Sequence, residues 1–504
     1  MPVATSVSAA DITSIQIDAL VLGLHEGGAE LTGAALAVDA ATTGAVRELL
    51  TGGDFAGRVG QDAVIYPRGA LGARRVVLVG LGPLSRHGLE SVRRAAARAT
   101  SRAAELGART VALSLDTFDV RGLARADLAR AAVEGSLLAS YRFESTRRRS
   151  QQAGRIDALT LVGTDADAAG EVEAGAARGA VIARAVWAAR DLVNQPPNVA
   201  NPLYLAEHAR ALAERTGLAV HVGDKAWATE QRMGAFLAVA QGTRNEPAFI
   251  VLEHNAGRAD LPTIVLVGKG VTFDSGGLTL KARDGMVAMK SDMGGAAAVL
   301  GATQAIAELD LPVHLVSICP CVENMPDGAA YRPSDVIIAS NGVSIEIHST
   351  DAEGRMALAD ALVYAARYAP DAVVDIATLT GASITALGEG VSSSLFASDE
   401  AVAAQLVAAS DTSGERVWRM PLFDEYRDTI DAKVAADLKN SGGAKGGVGT
   451  AAVFLQAFTD FPWAHIDMAG MALIDAARKK PYLTPGAPGY GVRLLVEFVM
   501  KRLI

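Results

Sequence analysis

Cysteine is almost missing from this chain, which has only Cys319 and Cys321 among 504 residues. They flank one proline in ICPCVE, where strand alternation puts both on one face. That is too close for a framework disulfide, and it lacks the two-residue gap of a redox or zinc pair. Two small buried hydrophobes is the simpler reading, and a chain without a disulfide framework suits a reducing compartment. Aromatic residues are scarce at 5%, which argues against stacking platforms for single-stranded nucleic acid. Cations fall short of anions: Lys plus Arg 47 against Asp plus Glu 56 leaves a net charge of −9. Phosphate neutralisation needs a surplus of clustered cations, so nucleic acid is a poor expected partner. Long apolar runs are missing too. The longest charge-free apolar stretch, residues 293–307, is Gly- and Ala-rich and shorter than a bilayer span. Before Asp11 there is no Lys or Arg and no apolar run, so no signal peptide is expected. The expectation is a soluble, cytoplasmic protein.

Half of the residues are hydrophobic and a fifth are charged, a globular composition. At about 150 residues per domain, the length suggests two or three domains. Residues 14–24, 74–82, 109–116 and 155–163 read as strands, with a helix over 88–107. This alternation implies a mostly parallel sheet covered on both faces. A basic segment, 145–154, reads as a solvated loop. A long helical pattern over 171–193 stops at NQPPNVANP, where paired prolines force extended backbone. The second half alternates again: strand 263–273, helix 294–309, strand 313–322, a hairpin turning at Asn341-Gly342, helix 355–369 and strand 372–381. The fold class is therefore α/β, with two α/β domains, each a mostly parallel sheet flanked by helices, joined by a long helix. The expected divisions are 1–168, a connecting helix 169–195, and 196–504.

Several familiar signatures fail. VGLGPLS (79–85) has Ser85 where a dinucleotide fingerprint needs its third glycine, and VGKG (267–270) lacks both the first glycine and the Ser or Thr of a phosphate loop. None of the eight histidines forms HExxH, and no GxSxG is present. What remains is a set of charges embedded in apolar, Gly-rich sequence. GKGVTFDSGGLTLK carries Lys269, Asp274 and Lys281. MKSDMGGA carries Asp292, and HSTDAEGRMALAD carries Asp351, Glu353 and Arg355. Asp274 and the Asp351 segment follow strand ends, where open α/β sheets place their ligand crevice. Four converging carboxylates repel unless cations sit between them. Oxygen-rich ligation without histidine suits magnesium, manganese or a carboxylate-bound zinc pair. Taken singly, Asp292 and Asp351 also fit helix N-caps, and Lys281 and Arg355 fit surface charges.

VGKGVTFDSGG, KSDMGGA and TDAEGR, in that order, resemble the signature segments of the leucyl (cytosol) aminopeptidase family. RDLVNQPPNVANP, ENMPDGAAYRPSDV, ATLTGA and WAHIDMAG resemble further family blocks, so the likeness spans roughly residues 170–504. The resemblance implies two divalent metals per subunit, manganese or zinc with magnesium or cobalt as alternatives. It implies Lys269, Asp274, Asp292, Asp351 and Glu353 as metal ligands, with Asp274 and Glu353 bridging. Lys269 and Asp292 would serve the tighter site and Asp351 the more exchangeable one. Lys281 would stabilise the oxyanion, and Arg355 would hold a bicarbonate that relays a proton. Main-chain groups at Thr378, Leu379 and Gly381 would hold the peptide substrate, with Met289 and Ala469 lining the first side-chain pocket. Plain core packing is the alternative for Met289. A homohexamer is also implied, and the N-terminal domain is expected to be variable, with an oligomeric or regulatory role. This sequence departs from the family pattern at Ser349 (usually Asn), Met356 (usually Leu) and Gln195 (commonly Glu). None of these is a ligand position. The competing readings are a two-metal phosphoesterase and a DNA-binding regulatory protein.

Overall fold

In the first third of the chain, short apolar β-type runs separated by Ala- and Arg-rich helices build a parallel sheet. The computed structural model describes residues 3–27, 31–119, 123–144, 154–163, 166–443, 445–474 and 480–503. Strands β1 (Ala4–Val7), β2 (Ala19–His25), β3 (Asp62–Ile65), β4 (Val76–Gly82), β5 (Thr110–Ser114) and β6 (Ala158–Val162) form one six-stranded sheet, in the order β1-β6-β5-β2-β4-β3. Every pairing is parallel except β3 with β4. All of β4 is buried, as a strand with both faces covered requires. Helices α1 (Leu89–Glu105) and α2 (Arg125–Ala139) pack on each other. The basic segment 145–154 lies, apart from Gly154, outside the described residues.

Helix α3 (Ala169–Asn194) follows, and the chain divides into two compact units within it. The first is Met1–Trp187 with Ala476–Thr484, and the second is Ala188–Asp475 with Pro485–Ile504. The sequence reading placed residues 476–484 in the second domain. Of these, the described residues 480–484 group with the first unit instead, where Tyr482 is fully buried and donates its hydroxyl to Glu90 Oε1 at 2.8 Å.

The second unit begins with helix α4 (Pro202–Thr216), whose N-cap Asn201 accepts from the Tyr204 N–H. Its strands are β7 (Ala219–Gly223), β8 (Ala248–His254), β9 (Thr263–Gly268), β10 (Gly270–Asp274), β11 (His314–Asn324), β12 (Val336–Ile338), β13 (Ser344–Glu346), β14 (Ala372–Ala377), β15 (Ser393–Ala397), β16 (Val417–Arg419), β17 (Leu438–Lys439) and β18 (Trp463–Asp467). The main sheet has nine strands in the order β16-β15-β18-β14-β9-β11-β8-β7, with β10 beside β11. Its centre, β18-β14-β9-β11, is parallel, while β8 and β15 run antiparallel to their inner neighbours. β12 and β13 form the expected hairpin, which β17 joins. Helix α5 (Gly294–Glu308) packs on β9, β11 and β14. Helix α6 (Glu353–Ala365) buries Met356, Leu358 and Leu362 in a core shared with Val265, Val267, Val316 and Ile318.

Residues 263–273, read as one strand, are two. β9 pairs with β11 up to Val267↔Ile318, and β10 resumes at Gly270↔Cys321. The same offset puts Lys269 opposite Pro320, which has no N–H to give. The Lys269 N–H faces the neighbouring strand on the other side, where it donates to the Ile376 carbonyl at 3.1 Å. That interruption lies at the carboxyl edge of the parallel strands, where the charged residues gather.

Candidate metal centre

Each charged side chain is delivered by the exit of a strand or the entry of a helix. Asp274 ends β10, where a register shift against β11 between Val271 and Asp274 re-aims it. Its Oδ1 accepts from the Gly276 N–H at 2.8 Å and from Asn324 Nδ2 at 2.7 Å. Asn324 also donates to the Thr350 carbonyl at 2.9 Å, so the β11 exit holds Asp274 and the Asp351 loop together. Lys269, 2% exposed, extends its Nζ to Asp292 Oδ1 at 2.8 Å, Glu353 Oε1 at 2.7 Å and the Thr378 carbonyl at 2.9 Å. Lys281 Nζ lies 2.7 Å from Asp274 Oδ2 and 2.5 Å from Asp351 Oδ1. Glu353 opens α6, where a helix N-terminus favours an anion.

The helix-cap alternative fails for both aspartates. The cap residues are Met293 and Ala352, and neither helix start has a side-chain cap bond. Asp292 Oδ1 accepts from the Thr378 hydroxyl at 2.7 Å, and its Oδ2 is buried with no hydrogen-bond partner. Lys281 is four-fifths covered and Arg355 is buried, so neither is an ordinary surface charge. Arg355 Nη1 donates to the Asn440 carbonyl at 2.8 Å, and its Nε is buried without a partner.

Ligand-atom oxygens of Asp274, Asp351 and Glu353 all lie within 4.8 Å of one another. With Asp292 they set four carboxyl groups against the two ammonium groups of Lys269 and Lys281, with the Arg355 guanidinium also facing Glu353 and Asp351. Burial, together with Glu353 and Asp292, pushes the Asp274 carboxyl well above its ordinary range. Burial also lifts Asp292, to about 6, against the pull of Lys269. Glu353 goes the other way: burial opposes ionisation, but Lys269 and Lys281 hold it at about 2. Lys269 keeps its proton above the usual lysine range, since Asp292, Glu353 and Asp274 outweigh burial. Burial holds Arg355 down at about 10. An excess of buried carboxylate oxygen and an unpartnered Asp292 oxygen are what hard divalent cations satisfy. The donor set fits such ions.

The proposed substrate groups lie at the neighbouring strand exits. Thr378 and Leu379 follow β14, Gly381 opens helix α7 (Gly381–Leu387), and Ala469 follows β18. Met289 sits in the turn just before Asp292 and is only partly buried, which speaks against plain core packing. The Leu379 N–H is taken by Asp467 Oδ1 at 3.2 Å, which leaves its carbonyl for other partners. Sequence reasoning missed Asn324, Asn440 and Asp467. Asn324 and Asp467 stood inside quoted blocks, but no spacing rule marks a residue that acts on backbone. Asn440 Oδ1 accepts from the His348 and Ser349 N–H groups, and its Nδ2 donates to the Ser349 carbonyl. Of the departures, Ser349 Oγ accepts from the Asp351 N–H and Met356 fills core, so neither disturbs the carboxylates.

The sequence profile of the cytosol aminopeptidase family's catalytic domain matches residues 187–496, and that of its N-terminal domain matches 21–150. The chain belongs to the cytosol aminopeptidase family. It is 46% identical to a probable cytosol aminopeptidase of Roseiflexus castenholzii, covering 98% of each chain. It is 43% identical to the cytosol aminopeptidase of Pseudomonas aeruginosa, covering 96% of each. Among solved structures, a tomato leucine aminopeptidase mutant superposes with a TM-score of 0.88 at 33% identity, over 99% of this chain and 97% of that one. The bottromycin maturation enzyme BotP in complex with Mn gives 0.84 at 36% identity, over 96% and 99%. Membership of the cytosol aminopeptidase family makes this chain a metal-dependent aminopeptidase, a hydrolase acting on peptides. No helix among the described residues is long and apolar enough to cross a membrane.

Proposed function

We propose that Lys269, Asp274, Asp292, Asp351 and Glu353 hold two divalent ions per subunit, manganese or zinc first, with magnesium or cobalt as alternatives. Through them the chain would release N-terminal residues, Leu and other apolar ones preferred. The observation that carries this reading is the convergence of the Asp274, Asp351 and Glu353 carboxyl oxygens within 4.8 Å of one another, beside Asp292 with an unpartnered Oδ2. When bound, such ions lower the pKa of a coordinated water and polarise the substrate carbonyl. With a dication among the carboxylates, the burial that already opposes the Lys269 ammonium favours the neutral, ligating amine. Lys281, the more exposed of the two lysines, would hold the developing oxyanion. Arg355, buried with its Nε unpartnered, would hold a bicarbonate that takes up and returns a proton. Main-chain groups around Thr378, Leu379 and Gly381 would hold the peptide backbone. Met289 and Ala469 would line the first side-chain pocket, the soft Met favouring apolar residues.

A homohexamer and a cytoplasmic location are proposed with it, and an oligomeric or regulatory role for the N-terminal domain. Neither the phosphoesterase nor the DNA-binding reading draws support from the family match. The test is a metal-reconstituted activity profile over aminoacyl p-nitroanilides beside p-nitrophenyl phosphate. Hydrolysis of leucyl anilide restored by manganese is expected. Phosphate ester cleavage without anilide cleavage would overturn the reading.

A further inference from the structure

Asp467 closes β18 opposite Ala377, the last residue of β14. It is 1% exposed, and a buried carboxylate is expensive unless donors surround it. Here three do. Oδ1 accepts from the Leu379 N–H at 3.2 Å and the Ala469 N–H at 3.1 Å, and Oδ2 accepts from the Thr380 hydroxyl at 2.6 Å. Thr380 in turn caps α7 through the Ser383 N–H. One side chain thus ties the exit loop of β14 to the exit loop of β18. The same peptide plane that gives Asp467 its Leu379 N–H gives Lys269 Nζ the Thr378 carbonyl, at 2.9 Å on the opposite side. The Thr378–Leu379 peptide is therefore pinned at both ends, between Asp467 and the carboxylate cluster.

We propose that Asp467 is a positioning residue that fixes the spacing between the substrate-gripping loops after β14 and β18. This rests on the aminopeptidase reading above. A carboxylate suits the task because it accepts three bonds, where an asparagine offers a single acceptor oxygen. The side-chain hydrogen bonds of Asp467 go to these two exit loops, and its charge also acts on Arg355, so its loss should appear first in how the substrate is held. Metal content should stay the same.

The experiment is steady-state kinetics on the manganese-loaded full-length chain, wild type against Asp467→Ala and Asp467→Asn. Leucyl and alanyl p-nitroanilides are the substrates, with bound manganese measured alongside. For Asp467→Ala, KM for the leucyl substrate should rise about tenfold or more and the leucyl-to-alanyl preference should shrink, with wild-type manganese content. Asp467→Asn keeps the Oδ1 acceptor and should recover most of the KM loss. If the alanine variant does not fold, Asp467→Asn together with Thr380→Val removes the Thr380 bond and its helix cap while keeping an Oδ1 acceptor for the Leu379 and Ala469 N–H groups, and a several-fold rise in KM over wild type is expected. Unchanged KM and preference in folded variants would overturn the role. So would loss of manganese with collapse of kcat, which would place Asp467 in metal binding. A wild-type chain inactive on every aminoacyl anilide would instead sink the aminopeptidase reading.

Discussion

At the residue scale, the charged cluster was legible because charge inside apolar, Gly-rich sequence is costly and therefore conspicuous. Lys269 between two strands is the clearest case. Asn324 and Asp467 were not legible, since they work by hydrogen-bonding backbone that only the fold brings near. Asp274→Ala and Glu353→Ala should each abolish turnover and lower bound metal. Both sit in the three-carboxylate group, and either loss removes one of its three carboxylates. Metal analysis with anilide kinetics checks this, and two bound metals with near-normal rate would refute the assignment. Lys281→Ala should keep its metal and bind substrate nearly normally, but lose kcat on the order of a hundredfold, as for one oxyanion donor. A raised KM at constant kcat would make Lys281 a binding residue instead. Away from the site, burial lowers His208 on α4 to about 4, with Arg215 assisting. Because its folded pKa is depressed, the unfolded chain binds more protons between pH 6.5 and 4. Stability is lost as pH falls through that window. Allowing for partial exposure, the effect is on the order of 2 kcal/mol. Urea unfolding of wild type and His208→Gln should show the variant losing less stability between pH 7.5 and 4.5. Parallel losses would contradict it.

At the element scale, the break between β9 and β10 escaped the sequence reading because 263–273 is continuously apolar and β-forming. The interruption falls where Lys269 stands opposite Pro320 of β11, a residue with no N–H to give to the ladder. Helix starts were similarly invisible as spatial facts. A Cβ at Gly354, in the first turn of α6, would come within 2.4 Å of Lys269 Cε and 2.5 Å of its Nζ. Only glycine lets the amine lie against that turn. Gly354→Ala should therefore weaken manganese binding about tenfold or more while leaving the helix itself intact. Calorimetric titration of manganese reads this directly, and unchanged affinity would show that Lys269 is not held there. The helix pattern of 355–369 was read correctly in kind. Its start is Glu353, two residues earlier, because the carboxylate is part of the first turn.

At the scale of the whole molecule, alternating strands and helices gave away two parallel α/β cores. The antiparallel strands β8 and β15 did not announce themselves. They are buried almost throughout, so their apolar runs carry no mark of direction. The return of residues 480–484 to the first unit was equally hidden, because it depends on partners such as Glu90 far back in the chain. What the assembled second unit presents is one edge where parallel strands end in carboxylates, beside loops offering backbone carbonyls. An exopeptidase at such an edge must recognise a free α-amine, and a neutral amine can itself ligate a metal. Acetylating that amine removes the ligand and adds bulk where the substrate is anchored. The central measurement is kcat/KM for leucyl p-nitroanilide against its N-acetyl derivative, on the manganese-loaded enzyme. Loss of an anchor that also orients the carbonyl should cost about a thousandfold or more. Comparable hydrolysis of the blocked and free substrates would contradict the assignment of this edge as an aminopeptidase site.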